Sequence, residues 1–178
     1  MSRLQSTGCR CGLIDVHTHF VPSEFPAYAG VGGASLWPSM APAHACHRHV
    51  MIDSKVYRTV SDQCWDPQVR RADMQRTGVT RQVLSPMPEL LSYWLEPSDG
   101  ASLCRYLNET LSAFVAADPD SFIGLGAVPL QDVDAAIREL DHAVHALGLA
   151  GVEIGTNVNG TAIGDRRFEP FFAAAQSW

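Results

Sequence analysis

Short, almost unbroken apolar runs alternate along this chain with segments whose apolar residues recur every three or four positions. That alternation leaves few folds open. A strand that is apolar on both faces must be covered on both, and a parallel sheet carrying helices is the arrangement that does so. The runs lie at 13–20, 79–85, 122–128 and 151–155, which predicts four strands. Asp66-Pro67 supplies an N-cap and a first-turn proline, and Gly78 a stop, so 67–77 reads as a helix. A second helix, about 99–117, carries Leu103, Leu107, Leu111, Phe114 and Val115 on one side and ends before Asp118-Pro119. A third starts at Asp132, with Val133, Ile137, Leu140, Val144 and Leu147 as its stripe, and stops at Gly148. Residues 165–178 open a fourth, with Phe168, Phe171 and Phe172 on its apolar side.

Between the first strand and the first helix lies a segment, about 22–64, too long for an idle connection. Within it, 50–60 reads as a β-hairpin turning at Asp53-Ser54-Lys55, an excursion above the main fold. Two closures fit four parallel strands: an open doubly wound sheet, or the first half of a (β/α)8 barrel. A complete barrel takes roughly 250 residues, so 178 residues, by length alone, favour the open sheet.

The chain has 46% hydrophobic residues, enough for one sizeable core. A net charge of -6 with only 13 Lys and Arg argues against nucleic-acid binding, and Arg70-Arg71 and Arg166-Arg167 are isolated pairs. No run of membrane-spanning length appears, and residues 1–10 lack the apolar centre of a signal peptide, so a cytoplasmic protein is expected. Five cysteines at irregular spacing, Cys9, Cys11, Cys46, Cys64 and Cys104, read as reduced thiols.

His17 and His19 stand at the carboxyl end of the first strand, one residue apart. Strand periodicity turns both imidazoles to one face, where they can share a metal ion; the plain alternative is two histidines packed at a strand end. Ligands of parallel α/β folds bind at that end of the strands, which favours zinc or another divalent ion here. Asp15 either orients one imidazole or bonds to backbone. His44, Cys46, His47 and His49 are crowded into one loop without the spacing of a structural zinc site and read as surface or lid groups.

The stretch Leu13-Ile14-Asp15-Val16-His17-Thr18-His19-Phe20 resembles the first-strand metal motif of the amidohydrolase superfamily. Together with 55–60 and the following Cys64-Trp65-Asp66-Pro67, with 127–132, and with Gly151-Val152-Glu153-Ile154-Gly155, it resembles the aminocarboxymuconate-semialdehyde decarboxylase branch, from about residue 12 to the end. That resemblance implies the amino-terminal half of a distorted (β/α)8 barrel, an α/β fold with about four strands present. It also implies a single incomplete domain over 1–178, with the loop and hairpin at about 22–64 inserted in it. It further implies one zinc, or another divalent metal, held by His17 and His19 and by a strand 5 histidine and a strand 8 aspartate, with a strand 6 histidine as acid or base. The last three have no matching positions here, so an amino-terminal fragment or truncated product of a longer enzyme is expected.

Arg58 matches the arginine that grips the substrate carboxylate in that branch, a task suited to a planar guanidinium fork; read from the residues alone, it is a solvated arginine on a hairpin. Glu153 has a metal role only if a second metal exists. The implied activity is metal-dependent, non-oxidative decarboxylation of a small unsaturated or aromatic carboxylic acid, by a homodimer when full length. Two rival readings stand beside it: a metal-dependent hydrolase of the same superfamily, and a catalytically inactive half barrel, poorly soluble and weak in zinc affinity.

Overall fold

In the computed structural model, which describes residues 12–177, the first apolar run forms β1 (Leu13–Phe20). Cys9 and Cys11 lie outside the described residues. After β1 the chain leaves the main layer and builds an antiparallel sheet from β2 (Ser39–Pro42), β3 (His47–Ile52) and β4 (Lys55–Ser61), in the order β2-β3-β4. The β3–β4 turn places Asp53 and Ser54 at φ 52 and 57, the paired left-handed geometry that matches the twist of a two-residue hairpin. The sequence identified this hairpin but not β2, which pairs with β3 from Ser39 opposite Met51 to Pro42 opposite Arg48.

α1 (Pro67–Thr77) returns the chain to the main layer. Its start and stop are local chemistry: the Asp66 carboxylate accepts from the backbone N–H of Gln68 and Val69, and Gly78, at φ 75, closes the helix in the left-handed region. Then follow β5 (Val79–Pro86), α2 (Pro97–Ala116), β6 (Phe122–Gly126), α3 (Val133–Asp141) and β7 (Gly151–Val152). A small hairpin of β8 (Asn157–Val158) and β9 (Thr161–Ala162) precedes α4 (Glu169–Gln176).

β1, β5, β6 and β7 form one parallel sheet in that order. Each new strand adds on the same side of the last. A doubly wound sheet reverses direction at a switch point, whereas sequential addition is how a (β/α)8 barrel grows. The topology therefore overturns the open sheet that length favoured. Two elements are shorter than expected. The third strand stops at Gly126 rather than 128, and the fourth keeps only Gly151–Val152 of 151–155. The third helix changes at His142–Ala146 into a π-helical turn, in which Leu147 N–H reaches back to His142 O.

Three apolar clusters hold these layers. Phe20, Met74, Leu84, Leu111, Phe114 and Phe122 fill the space between the sheet and its helices. Leu130, Leu140, Phe168 and Phe171 join α3 to α4. Val50 and Val60 of the excursion pack on Val21, Met87, Leu90, Leu103 and Leu107, which seats the small sheet over the carboxyl ends of β1 and β5.

The segment before β2 is tied down by one buried carboxylate. Asp99, in the first turn of α2, accepts from Tyr28 Oη at 2.8 Å and from the backbone N–H of Val31 and Gly32. A Cβ on Gly30 would meet Asp99 Oδ1 at 2.0 Å, so only glycine admits this approach. Burial alone would raise the Asp99 carboxyl pKa, but the bonds from Tyr28, Gly32 and Val31 outweigh it and hold it below the usual carboxylate value. A lowered folded value stabilises the clasp above the ordinary carboxylate pKa of about 3.9, and this is lost as pH falls through the folded value below that. Asp99→Ala is therefore expected to open 28–33 to protease at pH 7, with wild-type protein showing the same cleavage only in acid. Equal resistance of the two proteins at pH 7 would count against the clasp.

Among the described residues, no strand pairs with the outer edge of β1 or of β7. Leu13, Ile14 and Val16 of β1 are 59%, 50% and 71% exposed. At the far edge a pocket of about 300 Å³ lies among Val152, Ile154, Phe171 and Phe172. Unpaired apolar edges drive association. The 178-residue chain by itself is expected to bind a hydrophobic dye and to sediment as associated species at micromolar concentration; a dye-silent monomer would contradict this.

Candidate active site

His17 and His19 sit at the carboxyl end of β1, and the backbone there is irregular. Asp15 pairs with Gln82 and Thr18 with Leu84, so β1 carries one more residue than β5 between these points, a bulge at Val16 and His17. Asp15 Oδ1 accepts from the backbone N–H of His17 at 3.3 Å, inside that bulge, and thus supports the main chain of the pair. Of the two roles open to Asp15 in the sequence, the backbone role is the one observed. Thr18 Oγ1 donates to Val83 O at 2.8 Å, which anchors the residue between the histidines to β5.

Beyond the bulge the two imidazoles come together, with ring centroids 4.9 Å apart and planes at 80°. His17 is exposed and His19 half-buried, its Nδ1 3.5 Å from Ser85 Oγ of β5. Two imidazoles at one strand end suit a divalent ion as half of its ligand set. Among the described residues no group of three or more His, Cys, Asp or Glu side chains could hold a metal. His44 and His47 stack at 4.4 Å and Cys46 Sγ lies 3.4 Å from His47 Nδ1, but this loop forms no such group either.

His19 and Arg58 line the same pocket, of about 330 Å³, although they come from different sheets. Val21, Val60, Cys64, Met87, Pro88 and Glu89 complete its wall. His17 is not among the lining groups. Arg58 reaches it from β4, where it pairs with Val50 beside a bulge in β3–β4. Its Nη2 donates to Glu89 Oε1 at 3.0 Å. Arg58 is therefore neither a free cation nor simply solvated: it is held by a carboxylate on the turn that follows β5.

Two supporting arginines escaped the sequence reading. Arg70, buried on α1, donates from Nε to Gln63 O at 2.7 Å, from Nη1 to Gln82 Oε1 at 3.2 Å and from Nη2 to His19 O at 2.7 Å. It joins the end of β1, the turn before α1, and β5. Burial lowers its pKa from the ordinary arginine value, and the neighbouring Cys64, Asp15 and Asp73 pull the other way. Arg48 donates to Ser23 O and lies over the Trp65 ring at 5.2 Å, pinning the excursion to the first long loop. In the Cys64-Trp65-Asp66-Pro67 stretch, Trp65 carries Arg48, Asp66 caps α1, and Cys64 faces the pocket, its thiol pKa raised by burial and drawn partly back by Arg70. Glu153 donates its N–H to Gly126 O, and its Oε2 is buried with no hydrogen-bond partner among the described residues.

A sequential parallel sheet with paired histidines at its carboxyl end defines an amidohydrolase-type half barrel. The amidohydrolase family model matches residues 14–177, and the chain belongs to that family. It is 39% identical over 159 residues to the 2-amino-3-carboxymuconate-6-semialdehyde decarboxylase of Dictyostelium discoideum, covering 89% of this chain and 44% of the relative. Among solved structures, the 5-carboxyvanillate decarboxylase of Sphingomonas paucimobilis is similar with a TM-score of 0.58 and 31% identity, over 61% of this chain and 32% of that one. A dihydroxybenzoic acid decarboxylase of Polaromonas, with bound manganese and 2-nitroresorcinol, shares the fold with a TM-score of 0.66 at 22% identity, over 93% of this chain and 46% of that one. The chain spans under half the length of the curated relatives it matches. The fold is the amino-terminal half of a (β/α)8 barrel with four of its strands.

Proposed function

We propose that this chain carries the metal-binding pair and the carboxylate-binding arginine of a non-oxidative decarboxylase acting on a small unsaturated or aromatic carboxylic acid. The observation that carries this reading is the shared pocket of His19 and Arg58: an imidazole from the end of β1 and a guanidinium fork from β4 line one space of about 330 Å³. The decarboxylases among its relatives support the reaction class. His17 and His19 would contribute two ligands to a divalent ion, either manganese or zinc, which when bound would supply positive charge against the negative charge that develops as carbon dioxide leaves. Arg58 binds and orients the substrate carboxylate. Val21, Val60, Met87 and Pro88 give that end of the pocket an apolar wall, which keeps water off the reacting carbon. The single domain over 1–178, with its insertion at about 22–64, and assembly as a homodimer belong to the same proposal. So does a cytoplasmic location, supported by the free thiols of Cys46, Cys64 and Cys104.

Two observations favour a second reading, a half barrel without catalysis: among the described residues the sheet edges are unpaired, and no three-ligand group is present. One experiment separates the two. The manganese-loaded protein is given 2-amino-3-carboxymuconate-6-semialdehyde and, separately, 2,6-dihydroxybenzoate, and released carbon dioxide is measured. Release that Arg58→Gln lowers at least about 100-fold, with the fold intact, supports the decarboxylase. Metal binding without turnover of either acid supports the non-catalytic half barrel.

A further inference from the structure

The loop after β5 is tied to more of the molecule than a connection needs. It runs over 87–96, from the end of β5 at Pro86 to the start of α2 at Pro97, where such loops usually take about two to six residues. At its start the Met87 N–H donates to Phe20 O, the carboxyl end of β1, at 3.2 Å. Glu89, on the one-turn 3-10 helix Pro88–Leu90, then accepts from Arg58 of β4 at 3.0 Å. Ser92 turns the chain at φ 50, a left-handed conformation that a non-glycine residue keeps only where its surroundings hold it. Tyr93, buried, reaches the segment after β7. Its Oη accepts from the Gly155 N–H at 3.0 Å, and its carbonyl accepts from Asn159 Nδ2 at 2.8 Å. The fit there is close, since a Cβ on Gly155 would meet Tyr93 Cε2 at 3.1 Å. Leu95 O accepts from Gln131 Nε2, in the segment after β6, at 3.2 Å.

The loop is thus a strap fixed to the end of β1 and to the segments after β6 and β7, with Arg58 held from its middle. That matters because an arginine on a hairpin has a long, rotatable stem, and a planar fork recognises a carboxylate well only when it is already aimed. Glu89 aims it, and the strap decides where Glu89 stands. We propose that Tyr93 and Asn159 are positioning residues for the carboxylate site: they anchor the strap at the β7 side, and the strap places Glu89, which orients the Arg58 fork. Neither residue lines the pocket, so their effect passes through Glu89 and not through ligand contact. This inference rests on the carboxylate-binding role of Arg58.

Calorimetric titration of the full, manganese-loaded chain with benzoate tests it, in the parent, Tyr93→Phe, Glu89→Ala and the double variant, at a temperature where each is folded. Tyr93→Phe keeps the ring in place and removes the acceptor for the Gly155 N–H; it is expected to weaken benzoate about fivefold. With Glu89→Ala already present the strap no longer reaches Arg58, and the same substitution should change affinity by less than about 1.5-fold. Asn159→Ala should weaken benzoate in the same Glu89-dependent way, and it serves if Tyr93→Phe does not fold. A purely structural anchor would lower the thermal midpoint and leave benzoate affinity of the folded protein unchanged, which overturns the proposal. A loss of equal size with and without Glu89 overturns it too, since the effect would then reach the pocket by another route. Absence of benzoate binding by the parent overturns the carboxylate-binding reading of Arg58 and this inference with it.

Discussion

His17→Ala/His19→Ala is expected to lower affinity for manganese and zinc on the order of 100-fold or more, the largest effect any surface-accessible pair in this chain should give. The reason is the number of alternatives. No group of three metal-binding side chains exists among the described residues, so no neighbouring set replaces the lost imidazoles. The substitution also separates metal loss from unfolding. His17 is exposed, its side chain makes no hydrogen bond with the described residues, and it sits on a bulge held by Asp15 and Thr18 rather than by its own ring. Its removal should move stability by no more than about 0.5 kcal/mol. His19 is half-buried beside Ser85, and its loss adds a modest further change. Calorimetric metal titration, read beside the thermal midpoint of the metal-free protein, gives both quantities. A double variant that binds manganese as tightly as the parent would remove the pair from consideration as ligands.

The boundaries of β1 and α1 were legible because short-range chemistry sets them. Gly12 and Pro22 bracket the first, while Asp66, Pro67 and Gly78 punctuate the second. The fourth strand was legible as an apolar run but not in its extent. β7 lies at the sheet edge, and with a ladder on the β6 side alone only Gly151 and Val152 keep strand geometry. β2 was missed because a short Ser-Met-Ala-Pro run shows no alternation, and its pairing is decided by β3. Length alone favours an open sheet because length carries no topological information, whereas the resemblance to the amidohydrolase superfamily implies the half barrel that the strand order shows.

At the site, the histidine pair stands out through residue type and spacing and Arg58 only through the resemblance to the decarboxylase branch, and the structure brings His19 and Arg58 to one pocket. Glu89 and Arg70 were not visible. Glu89 acts through a contact between residues 31 positions apart, which no local pattern announces. Arg70 read as half of an isolated basic pair. One signal could have marked it: it shares the buried face of α1 with Met74, one helical turn on, and an arginine in an apolar stripe needs polar partners.

That buried position makes Arg70→Met the substitution expected to reach furthest through the structure. Arg70 offers donors in three directions, to His19 O, Gln63 O and Gln82 Oε1, and methionine matches its stem but offers none. The backbone carbonyls of His19 and Gln63 then lose a charged donor at a place that water reaches poorly. Each such loss costs about 1–3 kcal/mol, so the variant should lose about 3 kcal/mol or more, some 6–12 °C in thermal midpoint for a chain of this size. Part of this is offset, since a buried cation whose hydrogen bonds go to neutral acceptors carries its own desolvation penalty, which methionine removes. Arg70→Lys cannot supply the three donors from one ammonium and should recover only a fraction of the loss. Because one of the three bonds holds the carbonyl of a proposed metal ligand, metal affinity should also fall by about 10–100-fold while both histidines remain. A merely structural arginine would lower the thermal midpoint and leave the metal affinity of the folded fraction unchanged. Measuring both in Arg70→Met and Arg70→Lys at a temperature where each is folded decides whether α1 positions the end of β1 or only packs against it.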